Sequence, residues 1–217
     1  MDNYQKLIQR LIKEGYLITP EIINAFKDTP RIGFLPERHK SYDSLNAPLP
    51  LQHGQTTSQP LTIAFMIELL KPRAGNKILE IGYGSGWQTA ILAKIACPNP
   101  KSSNKSCGKV YAYEIVPQIA DFGERKLEEN LPADLRKKIH LYKHDFSKNL
   151  DENKLYDRII SGAAFKERPT DLIKSLSIGG IMVFPSQARD IRRVERTGED
   201  EYIEETYPGF VFVPVTH

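Results

Sequence analysis

Several things are scarce in this chain. Among its 217 residues there are only two cysteines, Cys97 and Cys107. No His or Cys cluster at ligand spacing stands near them, so no metal site is expected. No apolar run approaches the roughly 20 residues that a membrane-spanning helix needs, so no membrane association is expected. An excess of one charge is also missing: 30 Lys and Arg against 27 Asp and Glu leave a formal net charge of +3, which gives no reason to expect nucleic acid as the partner. The opening stretch "MDNYQKLIQRLIKEGY" has charges interrupting its apolar residues and no small-residue cleavage site, unlike a signal peptide, so the cytoplasm is the expected compartment. In that reducing setting Cys97 and Cys107 are expected as two free thiols rather than a loop disulfide.

What is present is the texture of an ordinary globular α/β chain, long enough for one domain with a full core. Short helices are expected from Asp2 to about Phe34, with Pro20 opening the second. From Lys77 onward the runs "KILEI", "KVYAY", "IHLYK", "DRIIS" and "IMVF" read as buried strands, and the helical stretches "GWQTAILAKIA" and "PQIADFGERKLEENL" separate them. This alternation predicts a Rossmann-like, doubly wound, mostly parallel sheet with helices on both faces. The C-terminal "GFVFVPVTH" reads as one more strand, antiparallel to the rest. A single domain over residues 1–217 is expected, divided into a helical and active-site segment (1–59), a cofactor-binding core (60–185) and C-terminal strands (186–217).

The stretch "KILEIGYGSGWQTAIL" puts Gly82, Gly84 and Gly86 between the first of these strands and a helix, where glycines let backbone approach a ligand closely. The next strand ends at Glu114, a carboxylate placed to accept both hydroxyls of a ribose. Together they point to an adenosine-containing cofactor. The spacing is G-x-G-x-G, one residue shorter than the G-x-G-x-x-G that cradles a pyrophosphate, which makes a dehydrogenase the weaker reading. S-adenosyl-L-methionine has no phosphate to hold, and Glu80 is a candidate to reach its ammonium group directly or through water.

Upstream, "PLQHGQTTSQP" crowds Thr56, Thr57 and Ser58 ahead of Pro60 and an apolar helix. One reading is capping of that helix by a hydroxyl. The other is a binding or catalytic role.

These stretches, with "TPRIGFLPERHKSYDSLNAPLP", "YDRIISGAAFKERPTDLIKSLSIGGIMVFP" and the terminal "FVFVPV", resemble the protein-L-isoaspartate (D-aspartate) O-methyltransferases, class I S-adenosylmethionine-dependent enzymes, over nearly the whole chain from about residue 4. The resemblance implies that Ser58 is the active-site residue, beside the methyl donor and the substrate carboxylate, with Thr56 and Thr57 next to it in the cofactor-binding segment. It implies that Asp145 binds the adenine amino group; Phe146, where the family pattern has glycine, is a candidate to pack on the adenine face. Ala163 and Ala164 leave room for the methionine moiety and substrate, and His53 is a weaker substrate-side candidate. The implied reaction transfers a methyl group to the α-carboxyl of L-isoaspartyl residues in damaged proteins and peptides and yields S-adenosyl-L-homocysteine; a monomer is expected. The chain departs from the family pattern at "HDF" (His144, Asp145, Phe146), where "GDG" is usual, and at Phe165, Lys166 and Arg168, which mark either a solvated helix entrance or an attraction for anionic substrate. Two other functions stay open: methylation of a different carboxylate or small molecule, and a catalytically silent cofactor-binding module.

Overall fold

The computed structural model describes residues 2–101, 107–148 and 154–215. Helix α1, Asn3–Lys13, starts at Asp2, whose side chain accepts a hydrogen bond from the Gln5 N–H at 2.7 Å. Its apolar residues at helical spacing, Leu7, Ile8 and Leu11, face inward. Helix α2, Pro20–Lys27, begins with proline at a position where the missing N–H costs nothing. A 3₁₀ turn at Arg31–Phe34 and another at Glu37–Tyr42 lead to a small hairpin of β1, Leu49–Pro50, and β2, Thr56–Thr57. Its turn is closed by hydrogen bonds from the Leu51 N–H to the Gln55 carbonyl at 2.8 Å and from the Gln55 N–H to the Gln52 carbonyl at 3.1 Å, with positive φ at both His53 and Gly54.

Helix α3 spans Pro60–Leu70 and enters the sheet region; strand β3, Lys77–Ile81, then leads to helix α4, Trp87–Ala96. Next come β4, Lys109–Tyr113, α5, Pro117–Asn130, α6, Ala133–Arg136, and β5, Ile139–Tyr142. The chain finishes with β6, Tyr156–Ser161, α7, Thr170–Lys174, and the strands β7, Leu176–Ser186, β8, Asp190–Arg196, and β9, Tyr202–Pro208. The main sheet has the order β5-β4-β3-β6-β7-β8-β9. Its first five strands are parallel, and β8 and β9 are added antiparallel.

The two faces of the sheet are covered unequally. Ile78, Val110, Ala112, Ile160 and Val183 point to the face that carries α1 to α5. Leu79, Ile81, Tyr113, Ile159 and Met182 point to the other, where the short α7 and the rings of Tyr156, Phe165 and Phe184 fill the space. Among the described residues the second face is therefore closed more by aromatic side chains than by helices. No helix among them is long and apolar enough to cross a membrane.

Two expectations need correction. The stretch "GFVFVPVTH" is not a strand: Gly209 takes φ +98°, and Phe210 to Val215 run as irregular chain touching the sheet region through an isolated bridge of Pro214 to Ala164; Thr216 and His217 lie outside the described residues. Pro214 has no N–H to give to a ladder. The antiparallel C-terminal pairing is made by β8 and β9 instead. Cys97 and Cys107 are joined in a disulfide, not left as free thiols. The Ala96 carbonyl accepts from the N–H groups of both Gly75 and Gly108 at 2.8 Å, which draws the end of α4 and the start of β4 together with the cysteines alongside.

Candidate active site

Parallel strands leave a crevice beyond their carboxyl ends. Here the crevice lies over β3, β4 and β6 and opens to solvent on one side. One wall is the turn from β3 to α4. Gly82, Gly84 and Gly86 all have positive φ, and nothing lies within 4 Å of where a Cβ on Gly82 or Gly84 would project. Their backbone thus faces open space, a cradle that side chains would fill. The turn is fixed from beneath by hydrogen bonds from the Gly82 and Tyr83 N–H groups to the Tyr113 carbonyl, at 2.8 and 3.2 Å.

Glu114 closes this wall. Its Oε2 accepts from the Gly84 N–H at 3.1 Å and its Oε1 from the Val116 N–H at 3.1 Å. Burial raises its pKa above the usual carboxylate value, and the N–H donors of Val116, Gly84 and Ile115 work against that rise. Asp145 stands beyond it, with Oδ1 accepting from Ser147 N–H at 2.9 Å and Ser147 Oγ at 2.8 Å. His144 and Phe146 line the crevice on either side of it.

The opposite wall is made of loops. Thr56, Thr57 and Ser58 line it together with Gln55 and Leu51, and Ala163 and Val213 to Val215 complete the rim. Ser58 does not cap α3: the cap position is Gln59, whose side chain makes no cap bond, and the side chain that reaches the helix start is that of Asn46, with Oδ1 accepting from the Leu61 N–H at 3.0 Å. The capping reading of the hydroxyl cluster is thereby excluded. Ser58 is instead held through its backbone, its carbonyl accepting from Arg31 Nη2 at 3.0 Å.

Of the residues singled out from the sequence, the structure brings Thr56, Thr57, Ser58, Gly82, Gly84, Glu114, Asp145, Phe146 and Ala163 to this one crevice. Four others are placed apart from its lining. Gly86 has instead been used for packing, with Leu127 and the Gly123 carbonyl against the position of its Cβ. Ala164 holds the C-terminal segment, donating to the Val213 carbonyl and accepting from the Val215 N–H at 2.8 and 2.9 Å. His53 is exposed at the hairpin turn. Glu80 is wholly buried, and its Oε1 accepts from Gln88 Nε2 at 3.0 Å. Gln88, not Glu80, is the residue that lines the crevice. Glu80 Oε2 and the neighbouring Thr89 Oγ1 are both enclosed and meet at less than full hydrogen-bond geometry, so their contact is a weak one. Burial pushes the Glu80 carboxyl up to about 7, with Thr89 and Gln88 pulling it down and Glu114 adding to the rise.

The unusual basic residues do not converge on the crevice. Arg168 pairs with Glu204 at 3.0 Å, and Phe165 is a core residue. Sequence reasoning missed Gln88, His144 and the Val213 to Val215 rim. Gln88 follows the glycine turn by two residues, so its position at a helix start was a usable signal.

The sequence profile of the protein-L-isoaspartate(D-aspartate) O-methyltransferase family matches residues 2–217. The chain belongs to this family. Similar relatives include a protein-L-isoaspartate O-methyltransferase of Staphylothermus marinus, 35% identical over 97% of this chain and 92% of the relative. Another, from Hyperthermus butylicus, is 34% identical over 97% of this chain and 87% of its own length. The fold is also that of a solved Plasmodium falciparum structure described as a putative protein-L-isoaspartate O-methyltransferase in complex with S-adenosyl-L-homocysteine. That likeness has a TM-score of 0.85 at 19% identity and covers 100% of this chain and 99% of the other. Among the described residues there is no group of three or more His, Cys, Asp or Glu side chains able to hold a metal ion.

Proposed function

We propose that this crevice transfers a methyl group from S-adenosyl-L-methionine to the α-carboxyl of L-isoaspartyl residues in damaged proteins and peptides. The observation that carries the reading is the pairing of two unlike walls: open glycine backbone with a buried carboxylate at the end of β4, facing hydroxyl side chains at the start of α3. The residues fit the methyl donor. Gly82 and Gly84 admit its chain against backbone, Glu114 has lone pairs left for the two ribose hydroxyls, and Asp145 with Phe146 offers an acceptor and an aromatic face for adenine. When bound, the donor supplies an electrophilic sulfonium methyl.

The protein's own work is then alignment. An isoaspartyl carboxylate is ionised at neutral pH and is already a nucleophile, so the site needs no general base. The Ser58 hydroxyl donates to that carboxylate and orients one oxygen toward the methyl group, while Leu51, Ile63 and Val213 exclude water from the wall around it. Among the described residues no Lys or Arg lines the crevice, which keeps the sulfonium as the partner for the incoming negative charge.

The test is methyl transfer from radiolabelled S-adenosyl-L-methionine to an isoaspartyl peptide and its normal aspartyl twin. Labelling of the isoaspartyl peptide alone is expected, because the extra backbone methylene presents its α-carboxylate on a short arm. Equal labelling of both peptides would point to methylation of carboxylates in general, and labelling of neither to a silent binding module.

A further inference from the structure

Arg31 is fully buried, and its guanidinium donates only to carbonyl oxygens: Nη1 to Leu45 at 3.0 Å, and Nη2 to Ala47 at 3.1 Å and Ser58 at 3.0 Å. No ion pair to a carboxylate accompanies these bonds among the described residues, and Nε is enclosed without a partner. The guanidinium carbon also sits 5.5 Å from the centre of the Trp87 ring. Trp87 lines the crevice at the first residue of α4, immediately after the glycine turn. One buried cation therefore touches both walls of the crevice from behind, without lining it.

Such an arrangement is an expensive way to fill space. An unpaired buried charge costs stability, and apolar side chains of similar volume pack a core at least as well. What a guanidinium offers, and they do not, is a rigid planar fork able to reach several carbonyls at once. The carbonyls it holds belong to the loop before β1 and to the residue whose hydroxyl faces the substrate side. A further tie runs alongside, from Leu61 N–H to Asn46 Oδ1 at 3.0 Å.

We propose that Arg31 is a positioning residue for the methyl-transfer reaction: by holding the carbonyls of Leu45, Ala47 and Ser58 it sets the Ser58 hydroxyl against the cofactor wall, touching neither substrate nor cofactor. The inference rests on the function proposed above.

The experiment compares the wild-type enzyme with Arg31→Lys, which keeps the charge and loses the fork, and with Arg31→Ala assayed with and without millimolar methylguanidinium. A core control, Ile8→Val, lies in α1 away from the crevice. For Arg31→Lys we expect kcat on an isoaspartyl peptide to fall at least about tenfold while the Kd for S-adenosyl-L-homocysteine stays within about threefold. Methylguanidinium should restore part of the lost kcat in Arg31→Ala, and the fluorescence of Trp87, the single tryptophan, should change in both variants. Ile8→Val should lose stability and keep kcat. A folded Arg31→Lys enzyme with wild-type kcat would overturn the proposal. So would a parallel loss of kcat and cofactor affinity, or failure of both Arg31 variants to fold, since either makes Arg31 a stability element. If the wild-type enzyme leaves the isoaspartyl peptide unlabelled, the functional reading falls and this inference falls with it; an active wild type beside an active Arg31→Lys enzyme removes this inference alone.

Discussion

The crevice has one wall made by neighbours in the chain and one made by segments brought from far apart. On the first, β3, the glycine turn and α4 follow one another, and the bonds that shape the turn are backbone bonds to the adjacent strand, such as Gly82 N–H to the Tyr113 carbonyl. On the second, the β1–β2 hairpin and residues 213–215 hold their places through Arg31, Asn46 and Ala164, at sequence distances of tens of residues. A wall built on the carboxyl ends of interior sheet strands and a helix start keeps its shape whether or not a ligand is present, which suits a site for an invariant cofactor. A wall of loops tied at a few points is better suited to a substrate that varies from one damaged protein to the next. Substitutions on the first wall should accordingly change stability and cofactor affinity, and those on the second should change turnover.

The largest expected effect lies beneath the first wall, at Glu80. Its folded-state pKa of about 7 exceeds the ordinary value of 4.5, so the folded protein holds this proton more tightly than the unfolded chain. Stability from this group is then fully present below about pH 4.5 and is lost as pH rises through about 7. Glu80→Gln cannot ionise and removes that dependence. Chemical denaturation at several pH values should show the wild type losing about 3 kcal/mol relative to the variant between pH 4 and 8. Parallel curves would mean that Glu80 ionises freely in its buried place.

Next is the far end of the same wall, where the Cys97–Cys107 disulfide closes a short loop. Reduction, or the double substitution Cys97→Ser with Cys107→Ser, should lower unfolding free energy by about 2 to 3 kcal/mol through loop-closure entropy. Cofactor affinity should hold, since the bond lies at the end of α4 opposite the glycine turn. At the turn itself, Glu114→Ala should weaken S-adenosyl-L-homocysteine binding by about 2 kcal/mol in calorimetry, the loss expected when charge-assisted bonds to two hydroxyls disappear. Unchanged affinity in the folded variant would remove Glu114 from the cofactor site.

The same contrast explains what could be read from the sequence. The five parallel strands and the glycine turn announce themselves locally, through short apolar runs and a G-x-G-x-G placed between a strand and a helix. Strands β8 and β9 do not, because their charges are neutralised across the pair: Arg193 meets Glu205 at 2.8 Å, a partner invisible along the chain. The β1–β2 hairpin is only two residues on each side and includes Pro50, so no strand pattern marks it. "GFVFVPVTH" carries the alternation of a strand, yet Gly209 and Pro214 turn it into a rim segment whose Phe210 stacks on Phe65 with ring centres 5.3 Å apart. Glu80 looked like a ligand contact because it borders the turn, but strand alternation turns its side chain away from Ile81 and beneath α4, where Gln88 receives it. The disulfide and the Arg31 clamp depend on three-dimensional approach alone.

The division of labour between the walls is tested most directly at Ser58. Capping has been excluded by geometry, so Ser58→Gly should cost little stability, while the missing hydroxyl can no longer orient the carboxylate. Steady-state turnover of an isoaspartyl peptide, measured beside calorimetric binding of S-adenosyl-L-homocysteine, should show kcat reduced at least about tenfold, equivalent to about 1.4 kcal/mol in the barrier, with cofactor affinity unchanged. A Ser58→Gly enzyme that turns over at the wild-type rate, or one whose cofactor affinity falls along with its rate, would contradict the assignment of the loop wall to the substrate.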